Sequence, residues 1–92
     1  MYMRRKTLLA LAVRVRPLLA KAGTAGMTAG QIGRELWPAE TPLEAARKAG
    51  LVLWMMRDKG ECRRWEYLGA TRHKLTEAGY AALLREGAQR GA

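Results

Sequence analysis

The residue types that carry most enzyme chemistry are scarce in this chain. Cys62 is its one cysteine, His73 its one histidine and Asp58 its one aspartate, and serine is absent. A Ser-His-Asp relay therefore has no nucleophile. A thiol and an imidazole could form a nucleophile–base pair if folding set Cys62 beside His73. The competing reading is a strand cysteine packed as a small hydrophobe, which asks nothing of His73. Two soft ligands are too few for a structural zinc site, which takes about four. A single thiol makes no internal disulfide, and no glycine-rich phosphate loop is present. The expectation is a non-enzyme with no cofactor, no metal and no small-molecule substrate.

The chemistry the chain is rich in is cationic. Seventeen Lys and Arg against eight Asp and Glu give a net charge of +9 in 92 residues. Such a surplus draws polyanions, of which nucleic acid and anionic membrane are the usual ones. The cations fall in groups. Arg63, Arg64, Arg72, His73 and Lys74 crowd two neighbouring segments, Arg47 and Lys48 sit together upstream, and Arg34 and Arg4-Arg5-Lys6 stand apart. Guanidinium groups suit phosphate oxygens and, in bidentate fashion, the guanine edge.

The elements that must position these groups can be read from periodicity and caps. One domain spans 1–92, with an ordered core over about 7–85 and a tail at 86–92, rich in glycine, that should fray. An apolar content of 49% is ample for one core. Leu8, Leu11, Ala12, Val15, Leu18, Leu19 and Ala22 recur at helical spacing and predict a first helix over 7–22, with Arg14, Pro17 and Lys21 opposite. Thr28 and Gln31 have capping-box spacing and start a second helix that buries Ile32 and Leu36 and ends before Pro38. Thr41-Pro42-Leu43-Glu44 is a second cap, with proline at the first helical position. The third helix runs to about residue 58, with Ala46, Ala49, Leu53 and Met56 inward. A rival reading ends it at Gly50 and makes 51–56 a strand. Residues 61–68 and 72–75 form a hairpin across a turn at 69–71. Thr76 caps a last helix with Tyr80, Leu83 and Leu84 inward.

Helix, capped helix, short turn, capped helix, basic hairpin, helix is the order of a winged helix-turn-helix, a mostly α fold with a small β-hairpin. Three segments carry a resemblance to a known family. Residues 27–36, with Met27, Thr28, Ile32 and Leu36, resemble the second helix of bacterial winged-helix regulators. Leu53, Met56, Gly60 and Cys62 resemble the end of their recognition helix. Leu75-Thr76-Glu77-Ala78-Gly79 is similar to the segment after the wing in MarR-like and PadR-like proteins. The chain departs from them in carrying Gly50, Leu51 and Val52 in the third helix and in lacking the long dimerisation helices of MarR proteins. The resemblance implies a double-stranded DNA-binding transcriptional regulator of bacterial or phage type. The recognition helix would then present Thr41, Glu44, Arg47, Lys48 and Leu51 to base edges. The wing would place Arg63, Arg64, Arg72, His73 and Lys74 on phosphates or in the minor groove, with Thr28 and Arg34 as further phosphate contacts.

Other readings stay open at this level. Leu51, Trp54 and Met55 fall away from the expected inward stripe and would form an apolar surface for a protein partner or a second copy. On that reading the fold serves as an adaptor or inhibitor that does not act through DNA. Structured RNA would answer to the same charge. The basic start followed by 7–13 resembles a secretory leader, but Arg14 and Arg16 interrupt the apolar run and its amphipathic pattern suits a packed helix. The expected location is cytoplasmic, with no membrane partner.

Overall fold

A computed structural model describes residues 3–90, with side chains for 3–88. Its element order is α1 (Arg5–Ala22), a short 3-10 turn (Gly23–Ala25), β1 (Met27–Thr28), α2 (Ala29–Leu36), α3 (Pro42–Asp58), β2 (Cys62–Tyr67), β3 (Ala70–Leu75) and α4 (Glu77–Arg90). The chain is thus mostly helical, with a small antiparallel sheet in the order β1-β3-β2. Among the described residues no helix is long and apolar enough to cross a membrane.

Local chemistry sets the helix starts. The Thr28 hydroxyl accepts from Gln31 N at 3.1 Å and the Gln31 side chain accepts from Thr28 N at 2.9 Å, a closed capping box. Thr41 caps α3 by accepting from Glu44 N at 3.2 Å, with Pro42 at the first position. Thr76 accepts from Gly79 N at 3.2 Å at the head of α4. The expected hairpin gains a third strand, since Met27 and Thr28 pair with His73 and Arg72. Two residues are too short a run to show strand alternation.

α3 is continuous to Asp58, so 51–56 is helix rather than strand. It is held to α2 by close approach. A Cβ on Gly33 would lie 2.5 Å from the Ala45 carbonyl oxygen, so only glycine lets the two backbones meet there. Ala45 is accordingly buried in place of the expected Ala46, and Val52, Leu53, Met55 and Met56 fill the core beyond it. They meet Leu8, Ala12, Val15 and Leu19 of α1, with Ile32 and Leu36 of α2, in one cluster.

Arg16 belongs to this interior although its charge reads as an interruption. It sits at a stripe position of α1, four residues after Ala12, and is only 5% exposed. Its Nε and Nη2 donate to Glu61 Oε1 at 3.0 and 2.6 Å, and its Nη1 to Glu86. Lys59 Nζ stands 3.4 Å from the other Glu61 oxygen. The Glu61 backbone is engaged as well, donating to the Met56 carbonyl at 2.8 Å and accepting from Thr76 N at 3.1 Å. Gly79 lies against the Glu61 carbonyl so closely that a Cβ would fall 2.1 Å from its oxygen. The Glu61 junction therefore ties α1, the end of α3, the start of β2 and the head of α4 together.

α4 differs from expectation in two ways. It runs to Arg90, past the expected ordered core, and Glu86 within it pairs with the buried Arg16; Gly91 and Ala92 lie outside the described residues. Its inward face is Gly79, Ala82 and Leu83, whereas Tyr80 and Leu84 are exposed.

The β2–β3 turn is Leu68-Gly69, earlier than expected, with φ of 51° and 80°. Two positive φ values are what a two-residue type I′ turn requires. Glycine adopts this freely, but a leucine there costs about 1 kcal/mol or more.

The junction generates the first test. Arg16→Met leaves the buried Glu61 with Lys59 as its remaining cation and is expected to cost about 3–5 kcal/mol in urea unfolding. Arg16→Met/Glu61→Leu should recover part of that loss. A cost below about 1 kcal/mol for the single variant would remove the junction from its structural role.

Candidate nucleic-acid interface

α3 has two unlike halves. From Val52 onward most of its side chains are packed, while its first turns are largely open, with Leu43 61% exposed and the Arg47 side chain 59% exposed. On the front half Ala45 and Ala49 pack inward, and the opposite side presents Leu43 and Arg47. The Thr41 cap and the α2–α3 turn fix the direction in which that front points.

The cations along this front are held differently. Arg47 reaches solvent and touches Glu44 through a 3.1 Å pair, an i,i+3 contact on the surface that is easily exchanged. Lys48 is bonded to Glu40 and lies 5.6 Å from the centre of the Trp37 ring, so it braces the turn between the helices. Leu51 is half-buried and packs on the core, so only part of its side chain is open on this front. Thr28 and Arg34 join the α3 front across a hollow of about 440 Å³, lined also by Gln31 and Pro42. Arg34 is exposed there, whereas the Thr28 hydroxyl already serves the α2 cap.

The register of the β2–β3 ribbon sorts its cations by face. Cys62 opposes Leu75, Arg63 opposes Lys74, Arg64 opposes His73 and Trp65 opposes Arg72. Side chains directly opposite share a face and alternate along the strand. One face therefore carries Cys62, Leu75 and His73 toward the core, with Arg64 on the same side but exposed. The other carries Arg63, Trp65 and Tyr67 with Lys74 and Arg72. There Lys74 Nζ lies 5.0 Å from the Trp65 ring centre. The Arg72 guanidinium donates to the Ala25 and Gly26 carbonyls at 3.5 and 3.4 Å. Trp65 packs on Gly26 and with Tyr67, Arg72, Thr24 and Ala25 lines a shallow cleft of about 370 Å³.

His73 is not a wing cation. It is 5% exposed, and its Nδ1 is buried without a hydrogen-bond partner among the described residues. Burial, with the Arg57 and Arg64 charges adding to it, holds the imidazole down to about 4, so it is neutral at pH 7. Cys62 moves the other way. Burial pushes its thiol up to about 11, and its Sγ lies 3.7 Å from the Leu53 carbonyl oxygen. A thiolate–imidazolium pair needs the opposite shifts on both partners, so Cys62 and His73 are set as core residues rather than as a nucleophile and base.

The proposed partner surface also changes. Met55 is 2% exposed and Leu51 half-buried, so of the three apolar residues only Trp54, 57% exposed, faces solvent. Helical spacing puts Met55 two positions after Leu53, on the far edge of the stripe, and α3 is covered on more than one side.

Comparison with family models, with curated proteins and with solved structures gives no match for this chain.

His73 gives a pH test whose sign can be worked out. Its folded value of about 4 lies below the ordinary 6.5. Between these values the unfolded chain binds the proton that the folded chain refuses, so acid favours unfolding. The contribution is complete above about pH 6.5 and is lost as the pH falls toward 4, a total of about 3 kcal/mol at about 1.36 kcal/mol per pH unit. Urea unfolding at pH 7.5 and 4.5 should show a smaller acid loss for His73→Phe than for the parent. Equal losses would show that His73 is not the titrating group.

Proposed function

We propose that this chain is a sequence-specific double-stranded DNA-binding protein, a small transcriptional regulator built on a winged helix-turn-helix. In this reading α2 and α3 are the helix pair and β2–β3 the wing. The observation that carries it is the division of α3: a packed rear half and a front half whose open side bears Arg47, flanked by Arg34. An α-helix of this kind fits the major groove and offers its first turns to base edges. Arg47 is the residue assigned to reading bases, because it is exposed and its guanidinium can meet guanine in bidentate fashion.

Phosphate contacts fall to Arg63, Arg64 and Arg34, which are exposed. Arg72 and Lys74 are fixed by the loop carbonyls and by Trp65, so they shape the ribbon while adding to the field that draws the duplex. Lys48 acts in the same indirect way through Glu40 and Trp37. A homodimer fits this reading, since one helix reads few bases and paired half-sites raise specificity.

A second reading is supported by the exposed Trp54. It takes the fold as an adaptor for a protein partner, with Trp54 as the anchor.

Duplex affinity measured against salt separates the two. The phosphate contacts of Arg63, Arg64 and Arg34 predict a slope of log affinity on log salt of roughly −3 for one chain and roughly −5 for a homodimer. Arg63→Ala should reduce that slope by about 1 and weaken all sequences alike. Arg47→Ala should relax sequence preference by about 1–3 kcal/mol at one position of a site selected from random duplexes. A flat salt dependence sinks the DNA reading. A complex with a protein that Trp54→Ala abolishes, without salt-sensitive DNA retention, would favour the adaptor. Tighter retention on duplex RNA than on duplex DNA would move the target to RNA.

A further inference from the structure

The least economical residue in the fold is Leu68. It stands at the apex of the β2–β3 ribbon, 89% exposed, the most open large apolar side chain among the described residues. Its φ of 51° is a conformation that leucine resists and that asparagine or glycine accepts in a two-residue turn. A side chain this exposed packs on almost nothing in the folded chain, so no internal contact offsets the strain. Backbone strain of this kind, where contacts within the molecule do not repay it, is a mark of use in binding.

The neighbours of Leu68 say what it would meet. Below it the ribbon carries exposed Arg63 and Arg64, with Lys74 and Arg72 across the strand. The acid nearest the tip, Glu66, accepts from the Thr71 hydroxyl at 2.5 Å, which braces the turn, and it lies on the Arg64 face, away from Arg63, Arg72 and Lys74. A polyanion gathered by the ribbon therefore reaches an apolar tip held in a fixed turn. Leucine is among the side chains that proteins push between base steps from the minor groove, where they unstack and kink the duplex.

We propose that Leu68 is an intercalating wedge: it inserts between adjacent base pairs of a duplex held by the ribbon's arginines and bends the DNA at that step. The proposal rests on the DNA reading above and adds a residue, a mode of contact and a deformation to it. The bend brings more of the duplex against the protein, and easily unstacked pyrimidine–purine steps accept the wedge best. Sequence preference then arises at a step where no hydrogen bond reads the bases.

The test uses the full chain and a 20-base-pair duplex with a central TA step, with 2-aminopurine beside that step and a fluorophore pair at the ends. At saturation the parent should raise 2-aminopurine emission and shorten the end-to-end distance. Leu68→Asn keeps the turn and should melt no lower than the parent. It should bind within about tenfold of the parent affinity with the same salt slope, yet lose both optical changes. Leu68→Met, still an apolar wedge, should keep them. Equal optical changes for Leu68→Asn and the parent would overturn the wedge, as would parent binding with no change at all; both outcomes leave the DNA reading standing. Parent protein that shows no salt-sensitive duplex binding overturns both. Flotation of the parent with vesicles of mixed anionic and neutral phospholipid, lost in Leu68→Asn, would assign the leucine to a lipid surface and overturn the proposal.

Discussion

Burying the Arg16 guanidinium is expensive, and much of the architecture follows from how that cost is met. A cation removed from water must find anions and acceptors inside. Here Glu61 and Glu86 supply them, and Lys59 stands beside the second oxygen of Glu61. The partners come from the corner after α3 and from α4, so α1 can satisfy its arginine only when both are docked. Glu61 spends its backbone in the same place, on Met56 before it and Thr76 after it. Because α3 enters this corner and β2 leaves it, the corner also sets how the helix front and the ribbon stand relative to each other.

A second constraint is the close crossing of α2 and α3 at Gly33. Backbone contact with Ala45 there, in the first turns of α3, covers one side of the helix front and leaves Leu43 and Arg47 on the open side. The sides of the helix thus carry different physics: burial of Ala45, Ala49, Val52, Leu53, Met55 and Met56 provides stability, while the open side of the front contributes little to it. A side that packing does not require is free to carry polar and charged residues of any kind.

The cations of this molecule divide by what holds them. Arg34, Arg47, Arg63 and Arg64 end in solvent, available for direct contact. Lys48, Arg72 and Lys74 are already engaged by Trp37 and Glu40, by loop carbonyls and by Trp65. The engaged group still contributes to the positive field, which falls off with distance and salt and does not depend on contact. It differs in rigidity, since its rotamers are fixed before any ligand arrives.

Much of this was legible in the chain because it depends on local chemistry. The threonine caps at Thr28, Thr41 and Thr76, the apolar stripe of α1 and the continuous ribbon segments all act over three or four residues, and each appears where spacing places it. Other features left a signal that pattern alone underuses. Arg16 occupies a stripe position, which asks for a buried acid, and a buried Leu75 puts His73 on the same inward face by the period of two. What only the tertiary structure decided are choices between distant segments: that Glu61 and Glu86 are the partners of Arg16, that Met27 and Thr28 add a strand, that Met55 is covered and Leu68 is not. Those outcomes depend on which surfaces meet, and the charge that makes this chain a candidate for nucleic acid is written in composition, whereas which of its cations remain free to act is written only in the packing.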